Sequence, residues 1–527
     1  MNKLFLDIEA INFYNKQEFI KSADWPISEI EFFTMANFLY SNYANILKNL
    51  DRYYYYIGII ELNFINSLIQ IFQYNSIKRY AKKNNIKLIY SKTPYNLIYP
   101  DWKSLKYYYH DLSYPYNKLQ RQIRRFIKAI YFNKTSNFKE FLKGFFFKND
   151  NISLGSFDDI KKEFILKNKK FYIHYEWIDI INLGLKSIKC EINENYLEDK
   201  KKFFKNKVIN KTISSMKKKL LMKNFIQDID FKLIEEVWAN RVGRIIEIQE
   251  GLQNLKMPKE LLITEANNPF HKIIAAVFKE KNVNVINFSH GNDIALVYQK
   301  WTNFQLFSIC NSYAFETKAI KNSFEEKKKG LPLFSKENVK YINVKENKNK
   351  KLHSLSKIKK NKTNNIMLLG YPYNTKRYTD DAYCYFNFRL RLEKQIIKVL
   401  KKTEYNVVYK AHPDRFKELG KVMTEKNVNV VSEKFENIWN QADILIFTYA
   451  TTSTFGFAIN CPIPIVLIDM DGTLWIKERR KILQKRVAFI TNINNKNYKK
   501  INLKNITQAI NIAKQRVNIQ AIKGLTG

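Results

Sequence analysis

Between Ile366 and Phe489 the chain repeats one pattern: IMLLGYPY, then VVYKAHPDR, then ADILIFTYATTSTFGFAINCPIPIVLI. Each piece contains an apolar, β-branched run that ends in small, polar or His/Pro residues. The segments between carry helical spacing, as at Leu392, Ile396, Ile397 and Leu400. Strands buried on both faces and alternating with helices predict an α/β domain built on a parallel sheet. Polar residues gather just past the strand ends, at Gly370, Tyr371, Lys410, His412, Thr448 and Thr451 to Thr454. The ligand crevice of an open α/β sheet lies outside the carboxyl ends of its strands. This stretch therefore reads as a ligand-binding domain, with an anion as the fitting ligand.

The first half carries the same signals more sparsely. Lys3 to Leu6, Ile86 to Tyr90, Leu261 to Ala266, VNVINF and FQLFSIC read as strands, and Pro269 to Phe278 as a helix. YYYYIGIIELNFINSLIQIF reads as buried helix, and most of 97–240 as cationic helical material. A chain of 527 residues is long for a single core. The expected division is a Rossmann-like domain over 1–342 with a helical insertion at about 97–240, then a Lys/Asn-rich linker or loop at 343–365. A second Rossmann-like domain follows over 366–500, with a helix and tail at 501–527. The spacing of Leu220, Leu221, Phe225 and Ile226 gives an apolar stripe flanked by lysines. It suits a membrane surface, while an ordinary domain helix with a basic solvent face is the plainer reading.

The formal charge is +41, from 90 Lys and Arg against 49 Asp and Glu. Such an excess favours nucleic acid, an anionic membrane surface or acidic substrates, but the enrichment in Lys, Asn, Ile and Tyr is chain-wide. No zinc-finger spacing, RNP-like motif or isolated recognition module points to a specific nucleic-acid partner. The four cysteines, Cys190, Cys310, Cys384 and Cys461, include no C-x-x-C pair. No apolar stretch reaches the ~18 residues of a membrane span. The expected location is the cytoplasm, with the inner face of the cell membrane as a peripheral site.

Four groups of residues are candidates for chemistry. Lys410 and His412 follow a buried strand, where both side chains can donate to phosphate oxygens, and Pro413 stops the strand. Thr448 to Gly456 joins the next strand to a helix start, where hydroxyls and amides suit an anion, although helix caps use the same residues. Ser289 to Asp293 brings His290 and Gly291 to the end of an earlier strand. Glu265, Asp293, Asp7 and Glu9 are candidate general bases for a hydroxyl acceptor, with Glu265 and Asp293 preferred because they follow the later strands. In YPYNTKRY, Lys376 and Arg377 are candidate phosphate clamps or solvated loop charges. Arg389 and Arg391 lie at i,i+2 and form no obvious pair, and Arg479, Arg480, Lys485 and Arg486 are expected mainly at the surface. IDMDG, with Asp469 and Asp471, has a phosphatase-like spelling, but too little chain follows it for that fold. No metal-ligand framework is spelled out.

The order SHG, a flexible connection, KAHP and a Thr/Ser cluster before GFAINCPIP resembles bacterial surface-polysaccharide transferases of the GT-B architecture. It is similar to capsule-biosynthesis glycosyltransferases, to CMP-sugar transferases of the Kdo and sialyl type, and to CDP-glycerol polyol-phosphate transferases. The resemblance covers about residues 260–490. It implies two Rossmann-like domains facing across a cleft, the first on the acceptor side and the second binding the donor nucleotide. It further implies an enzyme moving a sugar from a nucleotide-activated donor, with a CMP-sugar favoured, to a surface-glycan or lipid-linked acceptor without a bound metal or other cofactor. His412 would contact the donor phosphate, Thr451, Thr452 and Ser453 the phosphate or nucleotide, and an acidic residue of the first domain would deprotonate the acceptor. Gly456 and Phe457 keep the family pattern, but Ala458 stands where an acidic residue is usual, and no glycine precedes Pro464. Polyol-phosphate transfer and a non-catalytic nucleic-acid or assembly-binding role are the alternatives.

Overall fold

The computed structural model describes residues 2–6, 10–11, 16–90, 151–155, 159–168, 170, 172–175, 177–187, 194–221, 230–264, 268–289, 296–297, 300–325, 338–344, 364–371, 386–412, 422–423, 427–471 and 473–526. Two six-stranded sheets, each parallel throughout, organise them, so the chain is an α/β protein. The later sheet contains β9 (Asn365–Leu369), β10 (Asn406–Lys410), β11 (Val428–Val431), β12 (Ile444–Phe447), β13 (Ile465–Met470) and β14 (Ala488–Ile493). Its spatial order is β11-β10-β9-β12-β13-β14. Counted from β9 this is 3-2-1-4-5-6, the doubly wound order of dinucleotide-binding folds. The chain winds outward from β9 to β11, then crosses to the other side of β9 to lay down β12. Such a reversal is where ligands bind in open α/β sheets, and here it falls between the carboxyl ends of β9 and β12.

The apolar runs explain why these strands are central. In β12 and β13 every residue is buried, as expected for strands covered on both faces. Phe386–Leu400 and Leu503–Gln515 are two of the covering helices. The chain's richness in Asn serves the short entries into strands. Asn85, Asn364 and Asn427 immediately precede β2 (Ile86–Ile89), β9 and β11, each with positive φ. Asn takes this left-handed conformation more readily than other residues with a side chain beyond Cβ.

The earlier sheet contains β3 (Asn151–Leu154), β4 (Ile173–Tyr175), β5 (Glu260–Ile263), β6 (Asn284–Phe288), β7 (Ser312–Phe315) and β8 (Lys340–Asn343), in the order β4-β3-β5-β6-β7-β8. Two differences from the sequence reading stand out. β3 and β4 lie within the stretch read as helical. FQLFSIC is the end of a helix, Lys300–Ser308, and the strand follows at Ser312. Short apolar runs fit either state. Here Phe304 and Phe307 are both buried, and Ser308 Oγ bonds back to the Phe304 carbonyl, a helical i−4 contact.

The first ninety residues carry a small two-stranded sheet of their own. β1 (Asn2–Phe5) pairs with β2 in parallel, and the long aromatic run is two helices, Arg52–Ile60 and Asn63–Lys83, bent by 48°. No single described helix is long and apolar enough to cross a membrane; this bent pair meets that test only when taken together, and Ile57 to Ile60 and Phe64 to Gln73 are buried in the core. Of the stripe at 220–226, Leu220 is buried beside Ile213 and Met216. Phe225 and Ile226 lie outside the described residues, as does the side chain of Leu221. The C-terminal tail returns to the earlier sheet: Lys523–Thr526 packs on the helix Lys318–Glu325, and Val297 forms an antiparallel bridge with Trp475.

Candidate functional site

Parallel pairing places the ends of β10, β9 and β12 side by side, with Lys410 opposite Leu369 and Leu369 opposite Phe447. The sheet therefore brings Gly370 and Tyr371, Lys410 to His412, and Thr448 to Ser453 to one edge, at the reversal of strand order. Glu265, His290, Asp293 and Lys376 lie outside the described residues, as do Asp7, Glu9, Pro413 and Arg377.

Beneath the edge runs a set of buried polar contacts. Glu393, fully buried on the helix Phe386–Leu400, accepts from the Tyr371 amide at 2.7 Å and from the Tyr409 hydroxyl at 2.8 Å. Burial and this carboxylate push the Tyr409 hydroxyl well above its ordinary pKa. Arg389 donates to the Thr448 carbonyl at 2.8 Å and to Glu29 Oε1 at 2.9 Å, with its guanidinium 4.8 Å from the Tyr371 ring centre. Tyr371 and Tyr449 meet edge to face at 4.7 Å. Gly370 is required by proximity: a Cβ there would lie 2.3 Å from the Tyr409 hydroxyl, which Glu393 already holds.

The groups facing this framework differ in what they have left to offer. Lys410 is buried, with Nζ donating to the Ala411 carbonyl at 2.7 Å. Burial lowers its pKa below the ordinary lysine value, and Glu436 and Glu433 only partly counter that. His412 is half-buried just past the strand. Thr448 is fully buried, and its hydroxyl has no partner among the described residues. Thr452 is the N-cap of the helix Ser453–Ala458, its oxygen accepting from the Thr454 amide at 3.3 Å. Capping therefore claims one of the proposed phosphate hydroxyls, while Thr451 and Ser453 are exposed.

Several sequence readings change on seeing the contacts. Arg486, expected at the surface, is fully buried and donates to the carbonyls of Ile459 at 3.0 Å and Ile463 at 2.8 Å, and also to that of Cys461. Burial lowers its pKa to about 10. Asp469 accepts from Trp475 Nε1 at 2.7 Å and from Arg480 at 2.6 Å, and burial raises its pKa despite both partners. Asp471 accepts from Asn494 at 2.8 Å. The IDMDG acids are thus engaged in local structure. Among the described residues no group of three His, Cys, Asp or Glu side chains could hold a metal ion.

Arg389, Glu393 and Glu29 were not singled out together by the sequence. The available signal was the charged–apolar alternation of FRLRLEK inside a helix with almost no solvent face. Arg389 and Glu393 stand at i,i+4, and all of residues 387–394 are buried.

The fold and the edge define a class: an α/β protein with two parallel sheets, one of them wound in the dinucleotide-binding order with polar residues at its switch point. No known protein family's sequence pattern matches the chain, and no curated protein matches it.

Proposed function

We propose that the chain is a glycosyltransferase of GT-B architecture, moving a sugar from a nucleotide-activated donor to a surface-glycan or lipid-linked acceptor. The observation that carries this reading is the switch point between β9 and β12, with Lys410, His412 and the Thr448–Ser453 segment along one carboxyl edge. A departing nucleotide takes negative charge with it. Catalysis then consists of holding that charge while a hydroxyl attacks the activated carbon. An ammonium, an imidazole and backbone amides at a strand edge suit that task. Lys410 and His412 face the leaving phosphate, Thr451 and Ser453 complete its shell, and Glu393 with Arg389 fixes the floor. The acceptor base, Glu265 or Asp293, comes from the earlier half. CMP-linked acidic sugars are the favoured donors.

The test is release of nucleotide from a panel of CMP-, UDP- and GDP-sugars and CDP-glycerol, with an acceptor mixture, by wild type and His412→Ala. Release of CMP from one sugar, reduced at least about a hundredfold in the variant, is expected. Turnover of CDP-glycerol alone would move the assignment to polyol-phosphate transfer. Equal turnover by both proteins would remove His412 from the site. Silence across the panel, with no thermal stabilisation by any donor, would overturn the transferase reading.

A further inference from the structure

The last two turns of the helix Glu29–Lys48 and the segment Phe203–Lys211 enclose an open groove of about 490 Å³. None of its lining residues belongs to the strand-edge site. Its size lies within the ~300–1,000 Å³ typical of small-ligand sites. One wall is irregular: Lys205–Ile209 is a π-helical turn between two α-helical stretches. Such turns are rare and recur at functional positions. Around this one, Phe204, Val208 and Ile209 stay in the core, while Phe203, Lys207 and Lys211 are exposed. The Phe203 ring is stacked on Tyr54 with centroids 4.4 Å apart, so a flat apolar face is held in place at the groove.

The two walls ask for different chemistry. Lys207 and Lys211 stand four residues apart on one face and have no carboxylate partner among the described residues. They call for negative charge. Opposite them, Asn45 and Asn49 present exposed side-chain amides. Asn49 donates to the Asn45 carbonyl at 3.1 Å, which leaves its amide oxygen as an acceptor. This wall is also the negative end of a helix, whose carbonyls at Asn45, Ile46 and Leu47 already accept from Asn49 and Leu50. It calls for hydroxyl or ammonium donors. Inorganic phosphate would satisfy the lysines and oppose the helix end, and a simple cation would do the reverse.

We propose that this groove binds a polyhydroxylated anion: an acidic saccharide or a polyol phosphate. The acid group sits between Lys207 and Lys211, the hydroxyls donate to the asparagine wall, and a saccharide ring lies on Phe203. The site is independent of the transferase reading, because its occupancy is measured without a donor.

Calorimetry with trigalacturonate, glycerol 3-phosphate, neutral maltotriose and a short RNA tests it. The variants are Lys207→Glu/Lys211→Glu, Phe203→Ala and, as a control on the same cationic helix outside the groove, Lys217→Glu/Lys218→Glu. All five residues are exposed, and circular dichroism checks the fold of each variant. Trigalacturonate should bind at least about tenfold more weakly to the first double variant, and more weakly to Phe203→Ala. The control should remain near wild type. Loss of glycerol 3-phosphate on removing the lysines, but not Phe203, would identify the polyol-phosphate form. Maltotriose binding as tightly as trigalacturonate, or no binding of either anion, would overturn the proposal. So would equal losses in the two double variants, or RNA displacing the saccharide through the same two lysines.

Discussion

Burying the Lys410 side chain at the end of β10 penalises its charged form, so the ammonium loses its proton below the ordinary lysine value of 10.5. The sign of the consequence follows. Between the folded and unfolded pKa values the unfolded chain binds more protons, so the cost of burying this charge fades and stability rises with pH through that window. Ligand binding runs the other way. A phosphate beside the ammonium restores the proton, so binding takes up a proton and weakens as pH rises through the lowered value. Affinity for CMP should therefore fall as pH climbs from neutral towards 10.5. Lys410→Arg should flatten the fall, because a guanidinium stays charged. Calorimetry in buffers of different ionisation enthalpy reads the proton directly. The same pH slope and the same proton uptake in both proteins would exclude Lys410 from the contact.

At the scale of elements, the turn between the helix Ser453–Ala458 and β13 shows what sequence can and cannot convey. The strands around it were legible because ILIF and IVLI are continuous apolar runs, and the carboxyl-edge placement of Lys410, His412 and the threonines followed from that alone. The device that holds the turn was not legible. Arg486 sits 23 residues beyond Ile463 in sequence, yet its guanidinium satisfies three carbonyls from Ile459 to Ile463. Nothing in ILQKRV distinguishes a buried arginine from an exposed one, because burial is decided by tertiary packing and not by periodicity. Cutting this side chain to alanine leaves three buried acceptors and a cavity. Arg486→Ala should cost about 3 kcal/mol or more, seen as a lower urea midpoint. An unchanged midpoint would mean that the turn holds itself. The same blindness applies to Arg389 and Glu393: helical spacing says which residues share a face, and only the fold says that every face of residues 387–394 is covered.

For the whole molecule, the notable connection is between the first thirty residues and the later sheet, far apart in sequence. Arg391, on the helix Phe386–Leu400, donates to the carbonyls of Phe19 at 2.8 Å, Ser22 at 2.9 Å and Ala23 at 3.1 Å. Asn387 donates to the Phe5 carbonyl at 3.0 Å, and Asn495 to that of Trp25 at 2.8 Å. Beside them, Glu29 reaches Arg389, which in turn holds the Thr448 carbonyl at the strand edge. The N-terminal segment is thus bound into the framework of the strand-edge site, although nothing in its own sequence is drawn from that sheet. Arg391 is only 5% exposed, so its removal leaves a cavity and takes a donor from the Phe19, Ser22 and Ala23 carbonyls together. Arg391→Ala should lower stability by about 2–3 kcal/mol. It should also speed amide exchange around Phe19 to Ile27 and in β1, while amides of the helix Phe231–Gln253 keep their relative protection. Glu29→Gln keeps the shape but removes the charge facing Arg389. Its effect should concentrate at Thr448 and Tyr449, as faster exchange and weaker CMP binding. Hydrogen exchange by mass spectrometry resolves the two patterns. If both variants loosened the whole chain evenly, the N-terminal segment would be only one more part of a single cooperative core, and its link to the strand edge would carry no special weight.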